Sequence, residues 1–153
     1  MRKDLVLFFC LLLIAAIMSG CKDDQKTEFG PGKVVRARAG FVDFVGPAKA
    51  SSGATIQSWG WAADIQGGTP SKELIVLVDG KQIPFAPQMS ISRPDVAKVY
   101  NSDGLEKSGW SGSIPAASLG KGKHKIEFYA LLSDKTFAAL QCGAHLCEVE
   151  VAE

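Results

Sequence analysis

The chain has 153 residues, of which 46% are hydrophobic and 22% are charged. Its 17 lysines and arginines almost balance 16 aspartates and glutamates, and the formal net charge at pH 7 is +1. Phosphate neutralisation supplies most of the affinity of nucleic-acid-binding proteins. A nearly neutral chain without a basic cluster is therefore a poor member of that class, and we expect no nucleic-acid partner.

The first 20 residues have the pattern of an export signal. Arg2 and Lys3 form a short positive segment, and residues 5–18 follow without a charged or strongly polar side chain. A helix over this stretch spans about 21 Å, which is short of the ~30 Å hydrocarbon core of a bilayer. The length therefore favours the apolar part of a signal peptide over a stable transmembrane span.

The signal ends in a motif that carries chemistry. Residues 18–21, MSGC, resemble a bacterial lipobox, although Met18 stands where leucine is usual. The resemblance implies cleavage after residue 20, lipid on Cys21, and three acyl chains that hold the protein on a membrane. In Gram-negative lipoproteins an aspartate after the cysteine favours inner-membrane retention, so Lys22 points to the outer membrane. An ordinary secretory signal and a buried apolar helix remain alternatives.

The rest of the chain divides into a tether and one domain. Residues 21–33 begin with the lipidated cysteine and continue as KDDQKTEFGPGK, which has almost nothing to bury and predicts a flexible tether. Twelve extended residues reach roughly 40 Å, enough to lift a domain clear of lipid headgroups. Residues 34–153 are long enough for a single domain with its own core.

Short strands separated by turn signals fill this domain. The run at residues 74–78, LIVLV, is typical of a strand buried on both faces. Asp79-Gly80 predicts a two-residue hairpin, because both central positions of that turn favour positive φ. The predicted strands cover residues 34–44, 54–63, 73–78, 81–85, 109–114, 124–132, 136–141 and 146–151. Seven or eight short strands indicate an all-β antiparallel sandwich.

One helical turn interrupts the strands, near residues 94–100. Pro94 suits the first position of a helix, and Asp95 suits its positive amino-terminal end. Asn101 begins a polar segment that ends it.

Six short segments in order resemble an immunoglobulin-like accessory module of bacterial surface proteins. They are GFVD at 40–43, GWA at 60–62, VDG at 78–80, RPDV at 93–96, SGW at 108–110 and GKH at 122–124. The resemblance implies an immunoglobulin-like sandwich and no particular activity.

Two cysteines remain in the domain after the signal and the lipid attachment site are set aside. Cys142 and Cys147 form an even pair in an exported protein, which favours a disulfide that closes a short loop. His145 lies inside that loop. The alternative is a metal site with two thiolates and one imidazole, since zinc and copper accept these ligands.

Aromatic residues and one arginine are the candidate ligand-binding residues. Trp59 and Trp61 lie on one face of the same predicted strand, and Trp110 lies on another. Burial in the core is the first interpretation, because sandwiches often bury a tryptophan. The second is a flat platform on which sugar rings stack. For Arg93, an ion pair that pins the RPDV crossover is the first interpretation, and ligand recognition is the second.

The sequence contains only weak candidates for a catalytic site. Residues 109–113, GWSGS, only partly match a nucleophile elbow, and no strand–turn–helix pattern follows them. The aspartates fall mostly at turns, where this residue is common for backbone reasons. We therefore expect a lipid-anchored, non-catalytic envelope module without a cofactor, which binds a cell-wall or surface glycan or an envelope protein. The alternatives are an envelope enzyme with an unrecognised site and a metal-binding lipoprotein.

Overall fold

A computed structural model describes residues 33–153 of the chain. The predicted signal peptide, the lipobox with Cys21 and nearly all of the tether lie outside the described residues. Within residues 33–153, no helix combines the length and apolar character needed to cross a membrane.

The described part of the chain is built mainly from strands. In chain order these are β1 (Val34–Val35), β2 (Gly40–Gly46), β3 (Lys49–Ser51), β4 (Thr55–Asp64), β5 (Thr69–Pro70), β6 (Leu74–Val78), β7 (Lys81–Ile83), β8 (Gln88–Ile91), β9 (Gly109–Pro115), β10 (Gly122–Leu131), β11 (Phe137–Ala139), β12 (Gln141–Cys142) and β13 (Glu148–Ala152). Helix α1 (Pro94–Tyr100) follows β8, and short 3₁₀ helices cover Asp103–Lys107 and Ala116–Ser118.

Two sheets pack face to face and enclose one main core. The first has the order β12-β2-β4-β9-β8, with β5 on the end of β4. The second is centred on β10, which pairs with β6 and, through β6, with β7. Strand β10 also pairs with β13 near its start and with β11 near its end. The order β2-β4-β9-β8 against β6-β10 matches the ABED and CF strands of immunoglobulin domains. The predicted all-β sandwich is confirmed.

Aromatic rings fill the space between the sheets. Trp110 of β9 is 1% exposed, and its ring centroid lies 5.1 Å from that of Phe128 of β10. Phe85 meets both rings edge-on, at 6.2 and 5.9 Å. A Cβ on Gly112 would lie 2.4 Å from the Phe85 ring, so this glycine leaves the room that the ring occupies.

The local predictions with the clearest physical basis are confirmed. Helix α1 covers residues 94–100 and ends at Asn101, which adopts a left-handed φ of 49°. Asp79 and Gly80 form the two-residue turn between β6 and β7, with φ values of 50° and 78°. All five residues of β6 are buried.

Two predicted strands are divided in the structure. The prediction over residues 34–44 becomes β1, which pairs with β11, and β2, which pairs with β4. The prediction over residues 136–141 becomes β11 on the second sheet and β12 on the first. Alternation along a sequence indicates an extended chain, but it does not indicate the sheet to which that chain is hydrogen-bonded.

Candidate functional site

The outer surface of the first sheet carries a group of aromatic side chains, which we call the aromatic face. It consists of Phe41 and Phe44 from β2, Trp59 and Trp61 from β4, and Tyr100 at the end of α1. Trp59 is 44% exposed, and the other four are half-buried. An exposed aromatic cluster of this kind marks a binding surface more often than chance placement does.

Strand alternation explains how the tryptophans are divided. Along β4, Ile56, Ser58 and Gly60 point into the core, so Trp59 and Trp61 point outward. Packing between the two sheets, our first interpretation of these two residues, is therefore wrong. Trp59 is exposed and Trp61 is half-buried against a smaller apolar cluster, but their predicted placement on one face is correct. Trp110 lies between the sheets and is not accessible as a ligand-binding residue, because the surrounding core covers its ring.

The most accessible part of the aromatic face is a stacked pair. The Trp59 and Phe44 rings lie 4.0 Å apart, centroid to centroid, and are nearly parallel at 13°. The pairing of β2 with β4 shifts between Val42 and Phe44, which marks a bulge. A Cβ on Gly46 would lie 2.6 Å from the Phe44 ring, so only glycine leaves room for it there.

The second tryptophan is held against the helix. Trp61 and Tyr100 have ring centroids 5.4 Å apart at a tilt of 56°. Both pack on a small cluster formed by Ala63, Val96 and Leu105. Trp61 therefore contributes to the attachment of α1, whereas Trp59 presents more of its surface to solvent.

Arg93, which directly precedes α1, forms ion pairs with one residue of α1 and one residue of β2. Its Nε and Nη2 donate to Asp95 at 2.9 and 2.7 Å, and its Nη1 donates to Asp43 at 2.6 Å. The hydrogen bonds that Arg93 donates to Asp95 raise the pKa of Arg93, and the same guanidinium lowers the pKa of Asp95. These ion pairs match the pinning role that we inferred first for Arg93.

The path of the Arg93 side chain brings it across the aromatic face. A Cβ on Gly109 would lie 2.9 Å from Arg93 Cγ, so Arg93 starts above β9. Its guanidinium ends at Asp43 on β2. Strand β4 lies between β9 and β2, and Gly109 pairs with Trp61. The arginine therefore crosses β4 on the same face as Trp59 and Trp61.

Uncharged polar side chains border the stacked pair. Ser111 pairs with Trp59 across β9, and Gln88 of β8 pairs with Ser111. Gln57 and Ser113 are paired on the next outward row and are exposed. The surface thus combines flat apolar rings with amide and hydroxyl groups that can both donate and accept hydrogen bonds.

The cysteine loop forms a second feature, on the last strands. Cys142 and Cys147 are joined by a disulfide, with their Cα atoms 6.2 Å apart, and this prediction is confirmed. His145 adopts a positive φ of 60°, and its Nδ1 lies 3.2 Å from Glu148 Oε2. The disulfide uses both sulfur atoms, so neither is a thiolate ligand. Within residues 33–153, no three His, Cys, Asp or Glu side chains converge to hold a metal ion.

Reduction of this disulfide should destabilise the domain only modestly. Closing a loop of about six residues removes unfolded-state entropy worth roughly 2 kcal/mol in the chain-entropy model. Thermal unfolding of the oxidised protein with and without a reductant measures the difference. The matching control is a thiol count with elemental analysis of protein purified without a reductant. Two free thiols and about one bound zinc or copper per chain would contradict the disulfide.

A third feature, which the sequence did not predict, is a charged depression of about 450 Å³ beside β13. His124 Nδ1 lies 2.8 Å from Asp79 Oδ2, and His124 Nε2 lies 3.1 Å from the Gly120 carbonyl. The pKa of Asp79 is lowered mainly by the hydrogen bond from the backbone N–H of Lys125. The hydrogen bond with His124 is the second cause. These contacts tie the β6–β7 turn to β10, which is a structural role.

The partial nucleophile-elbow motif lies in an unsuitable place. Ser111 is in the middle of β9 and pairs with Trp59. A nucleophile elbow requires a sharp turn between a strand and a helix. The motif at residues 109–113 is therefore part of a regular strand.

Comparison with known proteins identifies no relative of this chain. The chain matches no model of a known protein family and no curated protein sequence. The function of the protein is therefore inferred from the geometry of its surface.

Proposed function

We propose that the protein is a lipid-anchored, non-catalytic module of the bacterial cell envelope that binds a glycan on the aromatic face. The observation that carries the proposal is the Trp59–Phe44 stack. It places two nearly parallel rings on the outside of a sheet, where Phe44 covers one face of Trp59 and Trp59 remains 44% exposed.

The chemistry of the surface supports a sugar as the ligand. A pyranose ring presents a flat patch of C–H groups that packs on an aromatic ring and a rim of hydroxyls that needs hydrogen-bonding partners. Binding sites of this type combine an apolar surface with a few polar groups that fix orientation. Here Gln57, Gln88 and Ser111 border the stacked rings.

Replacing Trp59 by alanine should abolish most of this binding. An aromatic anchor at the centre of a binding surface typically contributes about 2 kcal/mol or more, which corresponds to a loss of affinity of about thirtyfold or more. The mature lipoprotein, purified in detergent, is tested in pull-downs with cellulose, chitin, xylan and intact peptidoglycan. Binding that is unchanged in Trp59→Ala would place the site elsewhere.

The chain offers a matched control for this variant. Val99 is also an exposed apolar side chain, 77% accessible, but it lies on α1. Val99→Ala should leave binding within about twofold of the wild type, because truncating it removes apolar surface outside the stacked pair. If no glycan is retained, the proposed function is wrong.

The anchor is a separate part of the proposal with its own test. Replacing Cys21 by alanine should leave an unprocessed precursor, because lipid attachment requires the thiol. Mass spectrometry of the mature protein should find an acylated cysteine at residue 21 of the wild type and none in the variant. An unlipidated start at another residue would contradict the anchor and leave the glycan site untouched.

A further inference from the structure

We infer that the ligand of the aromatic face is an uncharged sugar and that Asp43 accepts a hydrogen bond from one of its hydroxyl groups. This inference rests on the proposed function, since it specifies the ligand class and adds a specificity-determining residue.

Asp43 lies next to the stacked pair for a structural reason. The bulge between Val42 and Phe44 places an extra residue in β2 opposite β4. Phe44 reaches the outer surface, where it stacks on Trp59. The Asp43 side chain also reaches that surface, since it meets Arg93 there. A carboxylate and an exposed aromatic pair are thereby adjacent in sequence and in space.

One oxygen of Asp43 is occupied, and the other is available. Oδ2 accepts the hydrogen bond from Arg93 Nη1, and the side chain is 34% exposed. Within residues 33–153, no other side chain or backbone group donates a hydrogen bond to this carboxylate. An ionised carboxylate accepts several hydrogen bonds, so a ligand hydroxyl can donate to Oδ1.

Arg93 positions this acceptor and does not itself supply a free positive charge. Its Nε, Nη1 and Nη2 all donate to carboxylates, and its side chain is 21% exposed. The ion pair holds Asp43 in one orientation beside the rings, which reduces the entropy lost when a ligand binds. Arg93 is therefore a positioning residue.

The charge of this cluster selects against acidic sugars. One guanidinium faces two carboxylates, Asp43 and Asp95, so the three groups together carry one net negative charge. The side chains that border Trp59 are amides and hydroxyls. A uronic acid or a phosphorylated sugar would meet a like charge at Asp43 while Arg93 is already paired with two carboxylates, whereas a neutral sugar meets no such repulsion.

The test compares neutral and acidic polysaccharides on the mature lipoprotein in detergent. Cellulose, chitin and xylan are the neutral probes, and polygalacturonate and alginate are the acidic ones. We expect retention on at least one neutral probe and at least fivefold weaker retention on the acidic ones. Raising the salt concentration from 50 to 500 mM should change retention on the neutral probe by less than twofold, since no ion pair forms.

Variants test the role of Asp43. Asp43→Asn keeps the size of the side chain but weakens its acceptor, so retention on the neutral probe should fall about fivefold to tenfold. The retention of this variant on the acidic probes should be at least equal to that of the wild type. An unfolded variant would instead lose retention on every probe. Asp134→Asn, a carboxylate on the loop before β11, is the matched control and should be within twofold of the wild type.

Each contrary result has a defined meaning. Stronger retention on an acidic probe that is lost in Trp59→Ala would overturn the inference and keep the proposed function. Unchanged retention of Asp43→Asn on the neutral probe would remove the role of Asp43. If retention of the wild type on the neutral probe changes with salt concentration, the inference that the ligand is uncharged is also overturned. This measurement needs no variant. If the protein is retained on none of the five probes and is not retained on peptidoglycan either, the proposed function itself is overturned.

Discussion

Replacing Trp110 by alanine should lower the free energy of unfolding by about 3–5 kcal/mol, the range typical of large aromatic side chains in a core. The indole is 1% exposed and packs against Phe128 and Phe85, so its removal leaves a cavity between the two sheets. The surrounding strands are hydrogen-bonded into sheets and can collapse into such a cavity only partly. Urea unfolding followed by circular dichroism measures the change.

A second substitution at the same position separates packing from polarity. The Trp110 Nε1–H is buried without a hydrogen-bond partner among the described residues. Trp110→Phe removes this unsatisfied donor while keeping an aromatic ring, so we expect a much smaller loss than with alanine. A cost of Trp110→Ala below about 1 kcal/mol would contradict the central position of this ring in the core.

Replacing Gly60 by alanine should be comparably damaging, although it adds only one methyl group. A Cβ at residue 60 would lie 2.1 Å from the carbonyl oxygen of Phe41 and 3.1 Å from Val42 Cα. Both atoms belong to the backbone of β2, which cannot move without disturbing its pairing with β4. Overpacking of this kind costs about 1–3 kcal/mol and sometimes more, and we expect the upper end.

Gly53→Ala is the matched control for this prediction. The same methyl group at residue 53 would meet nothing within 4 Å, because the residue lies in the exposed turn between β3 and β4. Its free energy of unfolding should be within about 0.5 kcal/mol of the wild type. Equal effects at the two glycines would show that the approach of β2 to β4 at Gly60 is less close than described.

The sequence alone determined the features that depend on neighbouring residues. Proline at the first helical position predicted α1. Positive φ at both central positions predicted the Asp79-Gly80 turn, and an even cysteine pair in a chain that we expected to be exported predicted the disulfide. The number of short alternating runs was enough to predict an all-β sandwich. Each of these signals comes from a backbone preference or a local composition, and the fold does not have to be known to recognise it.

Only the tertiary structure decided the features that depend on which face of a strand is covered. Alternation predicted that Trp59 and Trp61 share one face of β4, but it did not predict whether that face points into the core or toward solvent. Both faces could be buried, because one carries small or apolar residues and the other carries the tryptophans. Their outward orientation follows from the packing of the second sheet against Ile56, Ser58 and Gly60. Trp110 shares the same residue type and faces the opposite way.

The candidate ligand site is likewise a product of long-range pairing. Arg93 and Asp43 are 50 positions apart in the chain, and they meet because β2, β4 and β9 are neighbours in one sheet. The bulge that places Asp43 on the same side as Phe44 exists only in the register between β2 and β4. Register and strand order depend on hydrogen bonds between distant segments, so they cannot be predicted from local sequence preferences.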